Sequence, residues 1–164
     1  MIDRGFIRVL TVYSKTFYFV NKGVQLGAVP DIFRIFEADL NKKLAKEGRL
    51  KHKHLKVRIA FIPVARGELL PALVAGKGDI AASSLGVTEE RRKLVDFSSP
   101  LVPNVSVLVV SGPASPAISS VDDLAGKQVF VRRSSVHYEL LTALNRRFAT
   151  EKKPAVIIKE APEE

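Results

Sequence analysis

Residues 69–91 read LLPALVAGKGDIAASSLGVTEER, and VDFSSP follows at 95–100. The leucines and alanines of 67–75 form a short helix that Gly76 and Gly78 end. Residues 79–82 then make a brief apolar strand. Small residues lead on to Thr88, a natural N-cap, with Glu89 and Glu90 at the positive end of the dipole of a helix over 88–95.

Upstream of this stretch, residues 55–62 (LKVRIAFI) alternate as a strand, with Lys56 and Arg58 on one side. Residues 30–47 read as a helix. Ile32, Phe36, Leu40 and Leu44 recur at four-residue spacing with Ile35 on the same side, which predicts that this set faces the core. Pro30 suits its first turn, Lys42, Lys43 and Lys46 its negative end, and Gly48 its stop. Residues 6–12 (FIRVLTV) read as a buried strand, and a loop with Asn21, Gly23 and Gly27 follows. Residues 105–110 (VSVLVV) read as one more strand. The order β-α-β-α-β-α-β predicts an α/β fold with a mostly parallel sheet and flanking helices. The loops after residues 12, 62 and 82 lie at strand carboxyl ends, where such sheets bind ligands.

Residues 111–120 (SGPASPAISS) form a Ser/Pro/Ala-rich linker. Beyond it come a short capped turn, VDDLAG, and a strand, KQVFV. A helix over 135–148 puts Leu140, Leu144 and Phe148 on one face, with His137 beside Leu141, and a last strand covers 155–158. Two strands and one long helix are little with which to bury a core. We therefore divide the chain into a first lobe (1–110), a linker or hinge (111–120) and a partial second lobe (121–164).

Hydrophobic residues make up 46% of the 164-residue chain, enough for a buried core. The absence of cysteine rules out disulfides and thiolate chemistry. The three histidines include His52 and His54, which stand among lysines with no acidic neighbour, so no metal site is expected. No cofactor is expected either. No apolar run reaches the length of a membrane span, and the N-terminus lacks a signal-peptide pattern. The chain is then either cytoplasmic or an exported domain whose leader lies outside this sequence.

The net charge is +9. Much of the excess falls in 42–58, where no aromatic residue interleaves to stack on bases. A solvated face is the first reading, an anionic wall polymer or membrane surface the second, and nucleic acid is not expected as a partner.

The spaced pattern at 69–80, the small residues at 81–84, Thr88-Glu89-Glu90-Arg91 and Val95-Asp96-Phe97-Ser98-Ser99-Pro100 together resemble the bacterial extracellular solute-binding proteins of family 3. These have the fold of type 2 periplasmic binding proteins. Leu124-Ala125-Gly126-Lys127-Gln128-Val129 resembles that family's entry into its second lobe. Arg8, Val9, Thr11, Ser14, Tyr18 and Phe19 resemble the opening of the sensor half of membrane-bound lytic transglycosylases within it. The resemblance implies a periplasmic or cell-envelope location and a second lobe that is truncated here.

It also implies site residues. Arg91 would hold a ligand carboxylate, since its planar fork matches two carboxylate oxygens. Thr88 and the backbone of Ser84, Leu85 and Gly86 would stand beside it. The plainer alternative makes Thr88 only a cap and Arg91 only a surface charge. Tyr18 and Phe17 would wall the ligand, or would serve as ordinary core. Ser83 reads as a packing hydroxyl. In the second lobe Ser135 matches the family's hydroxyl at a helix start, while Ser134 replaces its glycine. Arg133 would reach the cleft or stay solvated with Arg132.

The expected function is binding of a small anionic solute, an amino acid or a cell-wall-derived peptide, by a monomer whose lobes close about a hinge near residue 110. It would serve as a transport receptor or sensor. The alternatives are the regulatory domain of a lytic transglycosylase, a dehydratase-type enzyme on the same fold, and a polyanion-binding surface. No catalytic constellation is visible: Glu89 and Glu90 are adjacent on a helix and point apart.

Overall fold

The computed structural model describes residues 1–50 and 55–163. His52 and His54 lie outside the described residues, as do Lys51 and Lys53 of the basic run. The described residues divide into two units. One lies within 1–86 and 90–95, the other within 87–89 and 96–164.

The first unit is built on β1 (Phe6–Val12), flanked in parallel by β4 (Arg58–Val64) and β5 (Ile80–Ala81). β1 is central, so its residues are buried alternately on both faces, and Val9, Leu10 and Thr11 have no exposure. On one face Ile7 and Val9 pack with Val29 and Leu44 of α1 (Ala28–Lys46). On the other, Leu10 packs with Leu69 and Ala72 of α2 (Leu69–Val74). Helices thus cover both faces, and the three strands lie side by side as the alternation predicts.

Gly78 makes one of these contacts possible. A Cβ there would lie 2.3 Å from Cγ of the fully buried Leu10. The glycine of the motif therefore serves close packing of a loop on β1.

Three details differ from the sequence reading. First, the buried face of α1 is Val29, Pro30, Asn41 and Leu44, with Phe33 and Leu40 packed beside it, whereas Ile32, Ile35 and Phe36 are exposed. A strict four-residue spacing drifts by about 40° per step, so Ile32 and Leu44 fall on different faces. Second, the loop after β1 contains a hairpin of β2 (Phe19–Asn21) and β3 (Val24–Leu26), turned by Lys22 and Gly23 with φ of 47° and 79°. Third, residues 105–110 form no strand. Val105, Leu108 and Val110 are 71%, 84% and 92% exposed, and no described strand pairs with them.

In the second unit, β6 (Gln128–Val131) pairs in parallel with β7 (Ile157–Glu160), connected through α4 (Val136–Thr150). Phe148, Leu124 and Val156 form its core, with Leu141 and Leu144 packed against them. Leu140, expected on that face, is 48% exposed. It lies one position off the Leu141–Leu144–Phe148 ridge.

The two units share a device. In α1, Asn41 donates to the Val57 carbonyl at 2.8 Å and accepts from the Val57 N–H at 2.8 Å, just before β4. In α4, Asn145 does the same with Val156 at 2.9 and 2.7 Å, just before β7. Each amide completes the hydrogen bonding of a buried residue at the entry to a strand, and so fixes how its helix is rotated on the sheet. Asn145→Ala leaves both backbone groups of Val156 unpaired. It is expected to lower stability by about 1–2 kcal/mol, read from denaturant unfolding at unchanged m-value. A loss near zero would show that water satisfies Val156 instead.

Candidate functional site

The candidate residues of the first unit lie in loops after strand carboxyl ends. After β1 the chain turns sharply, with Ser14 N–H on Tyr18 O at 2.8 Å and Tyr18 N–H on Ser14 O at 3.0 Å. Ser14 Oγ also accepts from Phe17 N–H at 3.1 Å. This loop docks on the start of α1, where Gly27 has φ 116° and a Cβ would stand 2.5 Å from Phe17 O. Glycine is required there on both counts.

Tyr18 is 5% exposed. Its ring tilts against Phe61 at 5.5 Å, and its hydroxyl accepts from Gln25 Nε2 at 3.3 Å. Phe17 is half-buried against the α1 side of the core, with the Arg66 guanidinium 5.5 Å from its ring centroid. Both aromatic rings are thus at least partly core. Arg66 was not foreseen. It enters at the carboxyl end of β4, in one of the three loops expected to bind, but no motif marked it.

After β5, Leu85 packs on the Leu10 side of the core and Ser84 is exposed. The Ser83 hydroxyl is buried with no hydrogen-bond partner among the described residues. It stands immediately before the Ser84–Leu85–Gly86 backbone. Arg91, in α3 (Glu89–Arg92), is 7% exposed, and its Nη1 donates to Gly86 O at 3.3 Å. It is therefore not a solvated surface charge. A buried guanidinium requires hydrogen-bond acceptors or anionic partners, because its desolvation is otherwise costly.

Asp79, the acid of the motif, has a structural task. It accepts from Arg8 N–H at 2.8 Å, from Arg8 Nη2 at 3.0 Å and from Arg4 Nη2 at 2.5 Å. The Arg8 side chain first, then its backbone N–H and the charges of Arg4 and Arg8, hold its carboxyl down at about 2, against some opposition from burial.

In the second unit, Thr88 Oγ1 donates to Glu139 Oε2 at 2.9 Å. Glu139 lies in the first turn of α4. Sequence reasoning missed this acceptor, since nothing local joins residues 51 positions apart. Ser135 is the N-cap of α4: its Oγ donates to Arg132 O at 2.7 Å and accepts from Tyr138 N–H at 3.3 Å. Arg133 pairs with Glu160 at 2.6 Å and lies 5.7 Å from the Tyr138 ring centroid. Ser134 N–H and Oγ both bond the Glu163 carboxylate.

The structure thus brings Ser84, Leu85, Gly86 and Arg91 together in one unit, with Phe17 and Tyr18 at the same carboxyl end of the parallel strands. It places Thr88, Arg133 and Ser135 in the other.

The profile of the bacterial extracellular solute-binding proteins, family 3, matches residues 17–155. A membrane-bound lytic murein transglycosylase F of Aeromonas salmonicida is 32% identical over 147 residues, 89% of this chain and 26% of that protein. Among solved structures, an ancestral arginine-binding protein bound to arginine superposes with TM-score 0.56 at 27% identity, over 98% of this chain and 62% of that one. The ancestral amino acid-binding protein AncCDT-1, a precursor of cyclohexadienyl dehydratase, gives 0.55 at 31% identity, with 97% and 62% covered. The chain therefore spans about a quarter of the transglycosylase relative, at 26%, and 62% of each of these two solved structures.

Proposed function

The chain belongs to the bacterial extracellular solute-binding proteins, family 3, and on that premise we propose that it binds a small carboxylate-bearing solute, an amino acid or a wall-derived peptide, without transforming it. One observation carries this reading. The Arg91 guanidinium is buried against the Gly86 carbonyl in the loop after β5. A planar fork held there matches the two oxygens of a carboxylate, and a desolvated fork binds one more strongly than an exposed one. The buried, unpartnered Ser83 hydroxyl supports it, since such a group retains a donor for a ligand oxygen. The solved relative bound to arginine supports an amino acid as the first class to test. The family's extracellular description supports a place at the cell envelope.

A second reading is favoured by the 89% of the chain that aligns with a lytic transglycosylase. The domain would then report wall-derived peptides to a catalytic domain, and any lytic chemistry would belong to that other domain.

Calorimetric titration of the chain with free amino acids and with wall-derived muropeptides tests both. Saturable binding of an amino acid, little changed by salt, is the expected result. Binding restricted to muropeptides would establish the second reading. Binding of neither, with polyanions bound steeply as salt falls, would overturn both in favour of a basic surface.

A further inference from the structure

We propose that the outward stripe of α1 is a docking surface for a phospholipid bilayer bearing anionic headgroups. The stripe is Ile32, Ile35, Phe36, Asp39, Lys42, Lys43 and Lys46. Steps of three and four residues keep these side chains within an arc of about 120° along about 21 Å of helix. The first three are apolar, yet 53%, 67% and 39% exposed. The last three are cationic and exposed. Apolar and cationic halves therefore follow one another on a single face.

That face cannot turn inward. Pro30 and Leu44 hold the opposite side buried, and the paired bonds of Asn41 to Val57 fix the helix rotation. The acidic residues of the helix do little to cancel the lysines. Asp31 is held by Arg34 at 2.6 Å, and Glu37 by Arg58 at 3.0 Å and the Ile59 N–H at 2.7 Å. Asp39 alone lies within the stripe. Glu47, just past the helix, stands 4.0 Å from Lys43 and 3.1 Å from Arg49.

A bilayer meets both halves at once. Isoleucine and phenylalanine side chains enter the headgroup–acyl boundary, while lysines extend apolar stems and place their ammonium groups on phosphates. A second copy of the chain fits less well. Packed parallel, the lysines oppose lysines, and packed antiparallel, the apolar half of each copy faces the lysine half of the other.

Co-sedimentation of the full chain with vesicles tests the proposal, comparing phosphatidylcholine alone with phosphatidylcholine containing phosphatidylglycerol. Binding to the anionic vesicles only is expected. The triple variants Ile32→Ser/Ile35→Ser/Phe36→Ser and Lys42→Gln/Lys43→Gln/Lys46→Gln should each lower partitioning by at least about tenfold. The substituted side chains are exposed, so thermal melts should barely change. The chain has no tryptophan. Phe36→Trp thus gives a single reporter, whose emission should shift to the blue on anionic vesicles. Three results would each overturn the proposal: no binding at low salt, binding untouched by the apolar triple variant, or self-association that the same variants abolish.

Discussion

Arg91→Ala is expected to weaken binding of the recognised solute by about 30- to several-thousand-fold, or roughly 2–5 kcal/mol. Truncation removes both donors of a bidentate contact and leaves the ligand carboxylate partly desolvated with no counter-charge. Arg91→Lys should also weaken binding, because an ammonium cannot reproduce the planar fork. Arg92→Ala is the control. Arg92 is exposed and lies about 100° around the helix from Arg91, so its loss should change affinity little. Arg91 is itself buried and bonded to Gly86, so some fall in melting temperature accompanies the alanine variant. The affinities are therefore compared at a temperature where circular dichroism shows every variant folded. Equal losses at Arg91 and Arg92 that vanish at high salt would mean a diffuse basic surface rather than a site.

Asp79→Ala should cost about 2–4 kcal/mol of stability, since it strands two guanidinium groups and the Arg8 N–H where β5 joins β1. Arg4 and Arg8 keep 36% and 28% exposure, which limits the loss below that of a fully buried pair. The same carboxyl gives a pH signature. Its folded value lies near 2, below the usual 3.8. Its stabilisation is then complete above about pH 4 and fades as pH falls towards 2, because only the unfolded chain takes up the proton readily in that range. Unfolding midpoints of the wild type and Asp79→Asn should converge between about pH 4 and pH 2. A gap that stays constant over that range would place the effect of Asp79 in packing rather than charge.

The strands and helices of the first unit were legible because their signals are local. β1, β4 and β5 are short apolar runs, and a glycine, Gly48 or Gly76, follows two residues past the last residue of α1 and of α2. The rotation of α1 was not legible. A polar residue, Asn41, is buried at 7% because its amide completes Val57, and a count of apolar positions assigns it outward. The β2–β3 hairpin escaped because its strands have three residues each and its turn uses Lys22 rather than the usual Asn ahead of Gly23. Residues 105–110 have the composition of a strand buried on both faces, but a strand also needs partners, and composition cannot supply them.

The site divides in the same way. Arg91 and the 84–86 loop could be named because they stand within one continuous motif. The partners that define their setting could not. Arg66 over Phe17, Glu139 on Thr88, and Arg4 with Arg8 on Asp79 are brought in by the fold from distant positions. Asp79 shows the limit of a motif most clearly: its place in the pattern marks a site region, while its geometry is that of a clamp between strands.

Whether the Arg91 guanidinium holds the ligand's carboxylate is read from a thermodynamic cycle. The affinity of the tightest-binding amino acid is compared with that of its carboxamide, in the wild type and in Arg91→Ala. A large penalty for the carboxamide is expected in the wild type, about 30-fold or more, and little or none in the variant. Equal penalties in both proteins would place the ligand carboxylate away from Arg91.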